Sequence, residues 1–306
     1  MNIYARVSLS LAFSSVLALG SLCPVAAAAT KPTYDKKMQL GQLLYFNGNV
    51  DQAIKAFRTA AQLKPTAFEP HLNLVNIYVQ KGDIPEAVEE CHEVLKIKEG
   101  HKDVHLILGN LLRSMASSET DTEKQKELLA EAVKEVEMAQ SLKADPALIQ
   151  NTLGIIKVQQ GEHDQAMKHM EAALAVKGSL PDAHLVKGVL HFKKGEKELA
   201  LKHLDLAIKH KANKNAEARN TKADILFTMG KHDEALTEYQ KAAEDDSRYL
   251  AAWSGQGNIY IQRKEYEKAK DCLEKAVAIK PDKNALYSLA VCKEKMGDKD
   301  GAIKFI

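Results

Sequence analysis

From Tyr34 onward the chain repeats its own pattern every 34 residues, and that period limits its fold more than any other feature. Registers open at Tyr34, Phe68, Lys102, Ala147, Pro181, Ala216, Leu250 and Lys283. The twentieth position is then alanine throughout: Ala53, Ala87, Ala132, Ala166, Ala200, Ala235, Ala269 and Ala302, with Ala132 reached after an insertion. The eighth position is Gly41, Gly109, Gly154, Gly188 or Gly257, or Ala223 or Ala290, with Val75 as the exception. Small side chains at both places let two helices approach closely, where a bulky residue would overpack the contact. The fifteenth position holds Gly48, Gly82, Gly161, Gly195, Gly230, Lys264 and Gly297. Glycine there supplies the left-handed conformation that closes a first helix before a turn into a second. Eleven of the 16 glycines are accounted for by these two positions, which leaves none grouped as a phosphate-binding loop. Position twenty-four (Phe57, Cys91, Val136, Met170, Leu204, Tyr239, Leu273) and position twenty-seven complete the apolar stripe of each second helix.

Composition agrees with helices. Aromatic residues are 6% of the chain, and Ala, Lys, Glu and Leu fill the long segments. The expected class is all-α. With 43 Lys+Arg against 41 Asp+Glu, the net charge of +2 is too small for the basic footprint that neutralising phosphates requires, so nucleic acid is excluded as a partner. No nucleophile arrangement or carboxylate pair stands apart from the repeat. Pairs such as Glu89-Glu90 and Asp245-Asp246 read as solvated helix faces. The repeats leave no room for a catalytic domain, and no enzyme activity and no cofactor are expected.

Residues 1–29 read as a secretory signal peptide. One charge, Arg6, precedes an apolar run from Val7 to Leu22, and Val25-Ala26-Ala27-Ala28-Ala29 supplies small residues for cleavage before Thr30. The run is shorter than the ~20 residues of a membrane span. Leu22 before Cys23 and Pro24 after it do not suit a lipidation site. The expectation is an exported protein, periplasmic or secreted, with no membrane span once the signal is removed.

The pattern Trp253-x-x-Gln256-Gly257-x-x-Tyr260, followed by Ala269, resembles the tetratricopeptide repeat, and Leu40-Gly41, Ala53, Phe57 and Pro65 carry other parts of the same outline. The resemblance covers Tyr34 to the C-terminus. It implies a right-handed α-solenoid of about eight stacked helix-turn-helix repeats whose first helices line a concave groove. One helix pair cannot bury its apolar face alone and must stack on neighbours, which leads to the same architecture. By resemblance, positions two, five, nine and twelve of each first helix face the groove. The expected binding residues are Asn76, Asn110, Asn151, Phe192, Asn220, Phe227, Asn258 and Tyr287. Amides among apolar groups suit an extended peptide, and the implied function is a non-catalytic scaffold or adaptor for a protein partner in the cell envelope. The carboxylate clamp of co-chaperone relatives is not reproduced. At its positions stand Met38, Gln42, Asn73, Asp103 and Ile107, of which only Asn73 agrees.

Several departures carry their own expectations. The third repeat holds eleven extra residues at about 115–129, where Thr120-x-x-Glu123 reads as a capping box for a helix starting near Asp121. The eighth repeat is incomplete at Ile306, with Ile303, Phe305 and Ile306 on one apolar side. That leaves open a continuation of the chain as an accessory region of a larger enzyme, or self-association through this end. Cys272 and Cys292 fall on neighbouring helices and admit a disulfide in an oxidising compartment, while Cys91 falls in the apolar stripe. His101-x-x-x-His105 has metal-ligand spacing. The register instead puts His71, His105 and His184 at position four and His191 at position eleven, as packing substitutions, and no metal is expected.

Overall fold

The computed structural model describes residues 33–212 and 214–303, and every regular element among them is a helix. The segment read as a signal peptide, with Cys23, lies outside the described residues, as do Phe305 and Ile306. Two compact units divide after Glu162. The N-terminal unit contains α1 (Tyr34–Phe46), α2 (Val50–Leu63), α3 (Glu69–Lys81), α4 (Ile84–Ile97), α5 (Lys102–Ser118), α6 (Thr122–Ser141) and α7 (Pro146–Gln159). The C-terminal unit contains α8 (His163–Val176), α9 (Pro181–Lys193), α10 (Lys197–His210), α11 (Ala216–Thr228), α12 (His232–Asp245), α13 (Leu250–Gln262), α14 (Tyr266–Ile279), α15 (Lys283–Lys295) and α16 (Lys299–Ile303). The class is an all-α helical repeat solenoid. Within each unit a first helix packs on the second helix that follows it, and that second helix packs on the next first helix.

The period explains the packing. A Cβ placed on Gly109 would stand 2.6 Å from Val136 Cγ2 and 3.1 Å from the Ala132 carbonyl oxygen. On Gly188 it would stand 2.8 Å from Leu204 Cγ and 3.2 Å from the Ala200 carbonyl. Position eight of a first helix therefore rests on positions twenty and twenty-four of its own second helix. The recurring alanines are buried without residue: Ala53, Ala87, Ala132, Ala166, Ala200, Ala235 and Ala269 are each 0% exposed. At position fifteen the six glycines take φ between +76° at Gly230 and +87° at Gly297, and Lys264 holds the same left-handed turn at +61°.

The insertion lengthens both helices of the third repeat. α5 has 17 residues and α6 has 20, against 13 in α3 and 14 in α4. α6 starts at Thr122 as expected near Asp121, but the cap is Asp121 itself, whose carboxylate accepts from the Glu123 and Lys124 amides at 2.9 and 3.2 Å. The Thr120–Glu123 box does not form, because Glu119 Oε1 already accepts from the Thr120 and Asp121 amides at 2.7 and 3.0 Å. That places Asp121, and not Thr120, at the extended residue from which a cap can act. Gln125 Nε2 donates to the Ala116 carbonyl at 2.9 Å and ties the start of α6 to the end of α5.

Cys272 on α14 and Cys292 on α15 are both free thiols in this structure. Cys292 Sγ donates to the Tyr266 carbonyl at 3.2 Å, at the start of α14. Cys272 sits six residues further along that helix, about 9 Å of axial rise, and its thiol faces Gln256 Oε1 at 3.9 Å. Cys91 is fully buried, and burial pushes its thiol up to about 12.

Candidate partner-binding surface

Residues four and three apart on a helix share one face, so positions five, nine and twelve of each first helix form a stripe. In the C-terminal unit the first helices also touch in sequence, α9 on α11, α11 on α13 and α13 on α15, and in the N-terminal unit α5 touches α7. Their stripes therefore combine into a layer along α9, α11, α13 and α15, and lie side by side on α5 and α7.

The eight expected residues divide into three groups. Asn76, Phe192 and Phe227 are half-buried, while Asn258 is exposed and Tyr287 is 67% exposed. Asn110 is committed within the fold. Its Nδ2 donates to the Leu106 carbonyl at 3.0 Å and to Thr152 Oγ1 at 3.1 Å, joining α5 to α7. Asn151 and Asn220 are buried, at 8% and 4% exposure, and the Oδ1 of each has no hydrogen-bond partner. One turn from Asn220, Asp224 is half-buried. Its Oδ2 accepts from Asn220 Nδ2 at 3.1 Å and its Oδ1 from the Tyr239 hydroxyl at 2.5 Å. Burial raises the Asp224 carboxyl above its ordinary range, against the lowering effect of the Tyr239 bond. Burial and the neighbouring carboxylate raise the Tyr239 phenol, which therefore remains the donor. On the next first helix, Ser254 Oγ is buried without a partner, again at position five.

A second feature escaped the sequence. Position four of the first helix meets position twenty-three of the second, and polar groups pair there repeatedly. His71 Nδ1 lies 2.6 Å from Glu90 Oε2, and His105 Nδ1 lies 2.6 Å from Glu135 Oε2, with His105 Nε2 on the Glu99 carbonyl at 2.7 Å. Arg219 reaches Glu238 at 3.2 Å and Asp245 at 2.8 Å. In the fifth repeat both positions are histidine. The Nδ1 atoms of His184 and His203 are 3.1 Å apart, and His184 Nε2 lies 3.1 Å from the Gly178 carbonyl. The carbonyl demands the proton of His184 on Nε2, which leaves its Nδ1 to accept from His203. The position-four histidines thus act as packing and hydrogen-bonding groups. Among the described residues no three His, Cys, Asp or Glu side chains gather to hold a metal ion. No helix among them is long and apolar enough to cross a membrane.

Profiles described as tetratricopeptide repeat match residues 44–111, 151–217, 226–290 and 284–306. No curated protein matches the sequence. Solved structures similar in fold include the following three. A tetratricopeptide repeat protein from Parabacteroides merdae is 16% identical over 88% of this chain and 98% of its own, with a TM-score of 0.63. A thermophilic protein of the same kind from Thermus thermophilus is 22% identical over 64% of this chain and all of its own, at 0.52. PilW, described as a widely conserved type IV pilus biogenesis factor, is 17% identical over 71% of this chain and 94% of its own, at 0.56.

Proposed function

We propose that this chain, which belongs to the tetratricopeptide repeat family, is an exported, non-catalytic scaffold that holds a partner polypeptide against the layer of first helices. The observation that carries the reading is the layer itself: α9, α11, α13 and α15 stand side by side and present Phe192, Phe227, Asn258 and Tyr287 on one stripe, half-buried or exposed. Amides there can bond a main chain while aromatic rings take side chains. Export rests on the charge and apolar pattern of residues 1–29, and the fold likeness to PilW is compatible with an envelope role. The test is crosslinked affinity purification from the cell envelope with an Asn258→Ala/Tyr287→Ala double variant in parallel. Both side chains are exposed, so the variant should melt with the parent. Loss of a captured partner in the variant supports the reading. A partner retained at full yield places recognition elsewhere on the surface.

Self-association is a second reading that one observation favours. On α1, Leu40 and Leu43 are 41% and 58% exposed, whereas the same register positions on α3, Leu74 and Ile77, are each 1% exposed. Phe46 extends the apolar stripe of α1 at 87% exposure. Light scattering across a concentration series separates the readings. Growth in mass that Leu43→Glu abolishes would support assembly through α1, and a constant monomer mass would remove it.

A further inference from the structure

The subsite around Asp224 has an electrostatic deficit. A carboxylate taken out of water is costly unless a cation faces it. Among the described residues Asp224 has neutral donors on its oxygens, the Tyr239 hydroxyl and the Asn220 amide. The cations of the same helix are engaged elsewhere: Lys222 lies on Asp205 at 2.8 Å, and Arg219 lies on Glu238 and Asp245. Independently, the amide that donates to Asp224 leaves its own Oδ1 buried and unpartnered at 4% exposure, and Ser254 Oγ on the adjacent helix is also unpartnered. The half-buried Asp224 carboxylate is thus the charged acceptor of this subsite. Tyr239, which donates to that carboxylate, is held in place by α13. A Cβ on Gly255 of α13 would stand 2.5 Å from its ring, so only glycine admits the ring there. Phe227, one turn beyond Asp224 on the same face of α11, is half-buried and stacks edge-on against His232 at 5.0 Å.

We propose that this subsite takes an arginine or lysine side chain of the bound polypeptide, with the cation on Asp224 and the aliphatic stem along Phe227. The inference rests on the reading of the first-helix layer as the partner surface and names the residue class that it selects. A charge-assisted bond supplies the missing counter-charge. The carboxylate distinguishes this repeat from the others in the stripe, since position nine is Asn76, Asn110 and Asn258 in three of them and aliphatic at Ile155 and Val189.

The test uses N-acetyl-arginine methylamide as the probe and N-acetyl-citrulline methylamide, which has nearly its shape and no charge, as the control. The readout is the side-chain amide resonance of Asn220, assigned by its loss in Asn220→Ala. Titration of arginine should move that resonance to saturation, and citrulline should bind at least about tenfold more weakly, the factor expected from ~1.4 kcal/mol of charge-assisted bonding. Asp224→Asn should retain the melting midpoint to within a few degrees and abolish the difference between the two probes. Equal responses to the two probes, no response to arginine, or a preference that survives in Asp224→Asn would each overturn the inference. None of these outcomes bears on the affinity capture, so failure of the cation subsite and failure of the scaffold reading are distinguishable.

Discussion

Lys264 shows how a repeat position can outlast the residue best suited to it. Six of its register equivalents are glycines with positive φ, and Lys264 adopts the same backbone with a side chain attached, at φ +61°. An L-residue pays roughly 1 kcal/mol in that region. Lys264→Gly should therefore raise stability by up to about 1 kcal/mol, read as a higher denaturant midpoint with an unchanged slope. Gly109 presents the opposite case. A methyl there meets Val136 at 2.6 Å and the Ala132 carbonyl at 3.1 Å, and a carbonyl cannot swing aside as a side chain can. Gly109→Ala should cost on the order of 1–3 kcal/mol, and a midpoint equal to the parent's would refute the register that pairs position eight with position twenty. Both residues were legible from spacing alone, since a helix pair at fixed separation admits few side chains at its contact. The partners of His71 and His105 were not. Position twenty-three is Glu in some repeats and His, Cys or Ala in others, so no constant residue type marks it in a single sequence.

The α9/α10 pair carries a titration that belongs to two helices together. Burial, with Lys187, His184, His191 and Lys202 nearby, lowers His203 from its ordinary value to about 4. The rings of His184 and His210 lie 5.5 Å apart and those of His191 and His203 5.2 Å apart, while His191 Nδ1–H donates to Glu196 Oε2 at 2.5 Å. A histidine depressed in the fold favours the folded state fully above the unfolded value near 6.5, and that contribution is lost as pH falls from 6.5 towards 4. Allowing for solvent screening at a half-buried ring, the loss should be about 1–2 kcal/mol between those limits. His203→Gln should flatten this part of the stability curve. An unchanged slope between pH 6.5 and 4 would show that the pair does not carry it. At the same scale, Asp121→Ala should remove two bonds to the first turn of α6 and cost about 1 kcal/mol. The sequence located that helix start to within a residue but assigned the cap to Thr120. A glutamate that captures the preceding amides, as Glu119 does, leaves no trace in a capping-box spacing.

For the whole molecule, the class and the repeat were legible because small residues recur at the same two contact positions, whereas the groove was legible only as a set of positions. Spacing put Asn110 and Asn220 on the same stripe, yet one spends its amide on Thr152 and the other leaves an oxygen unpartnered. The difference lies in what each meets: Asn110 finds Thr152 on the next first helix, whereas Asn220 Oδ1 finds no donor among the described residues. The same nearest-neighbour character governs how the protein should unfold. In a stacked array each repeat is stabilised by its own packing and by its immediate neighbours, so damage in one repeat decays along the chain. Trp253 is the chain's single tryptophan and lies on α13, held by an indole bond to the Ser247 carbonyl at 2.9 Å with Lys275 Nζ 4.4 Å from its ring centre. Its fluorescence reports the seventh repeat, whereas far-ultraviolet dichroism averages all the helices. Gly109→Val, four repeats away, should lower the dichroism midpoint in urea and broaden that transition while the Trp253 midpoint stays within error of the parent's. Gly257→Val, which drives a side chain into Leu273 at 2.6 Å in the seventh repeat itself, should lower the Trp253 midpoint first. If Gly109→Val shifts both probes equally, with coincident transitions throughout, the array unfolds as one cooperative block and the nearest-neighbour description fails for this chain.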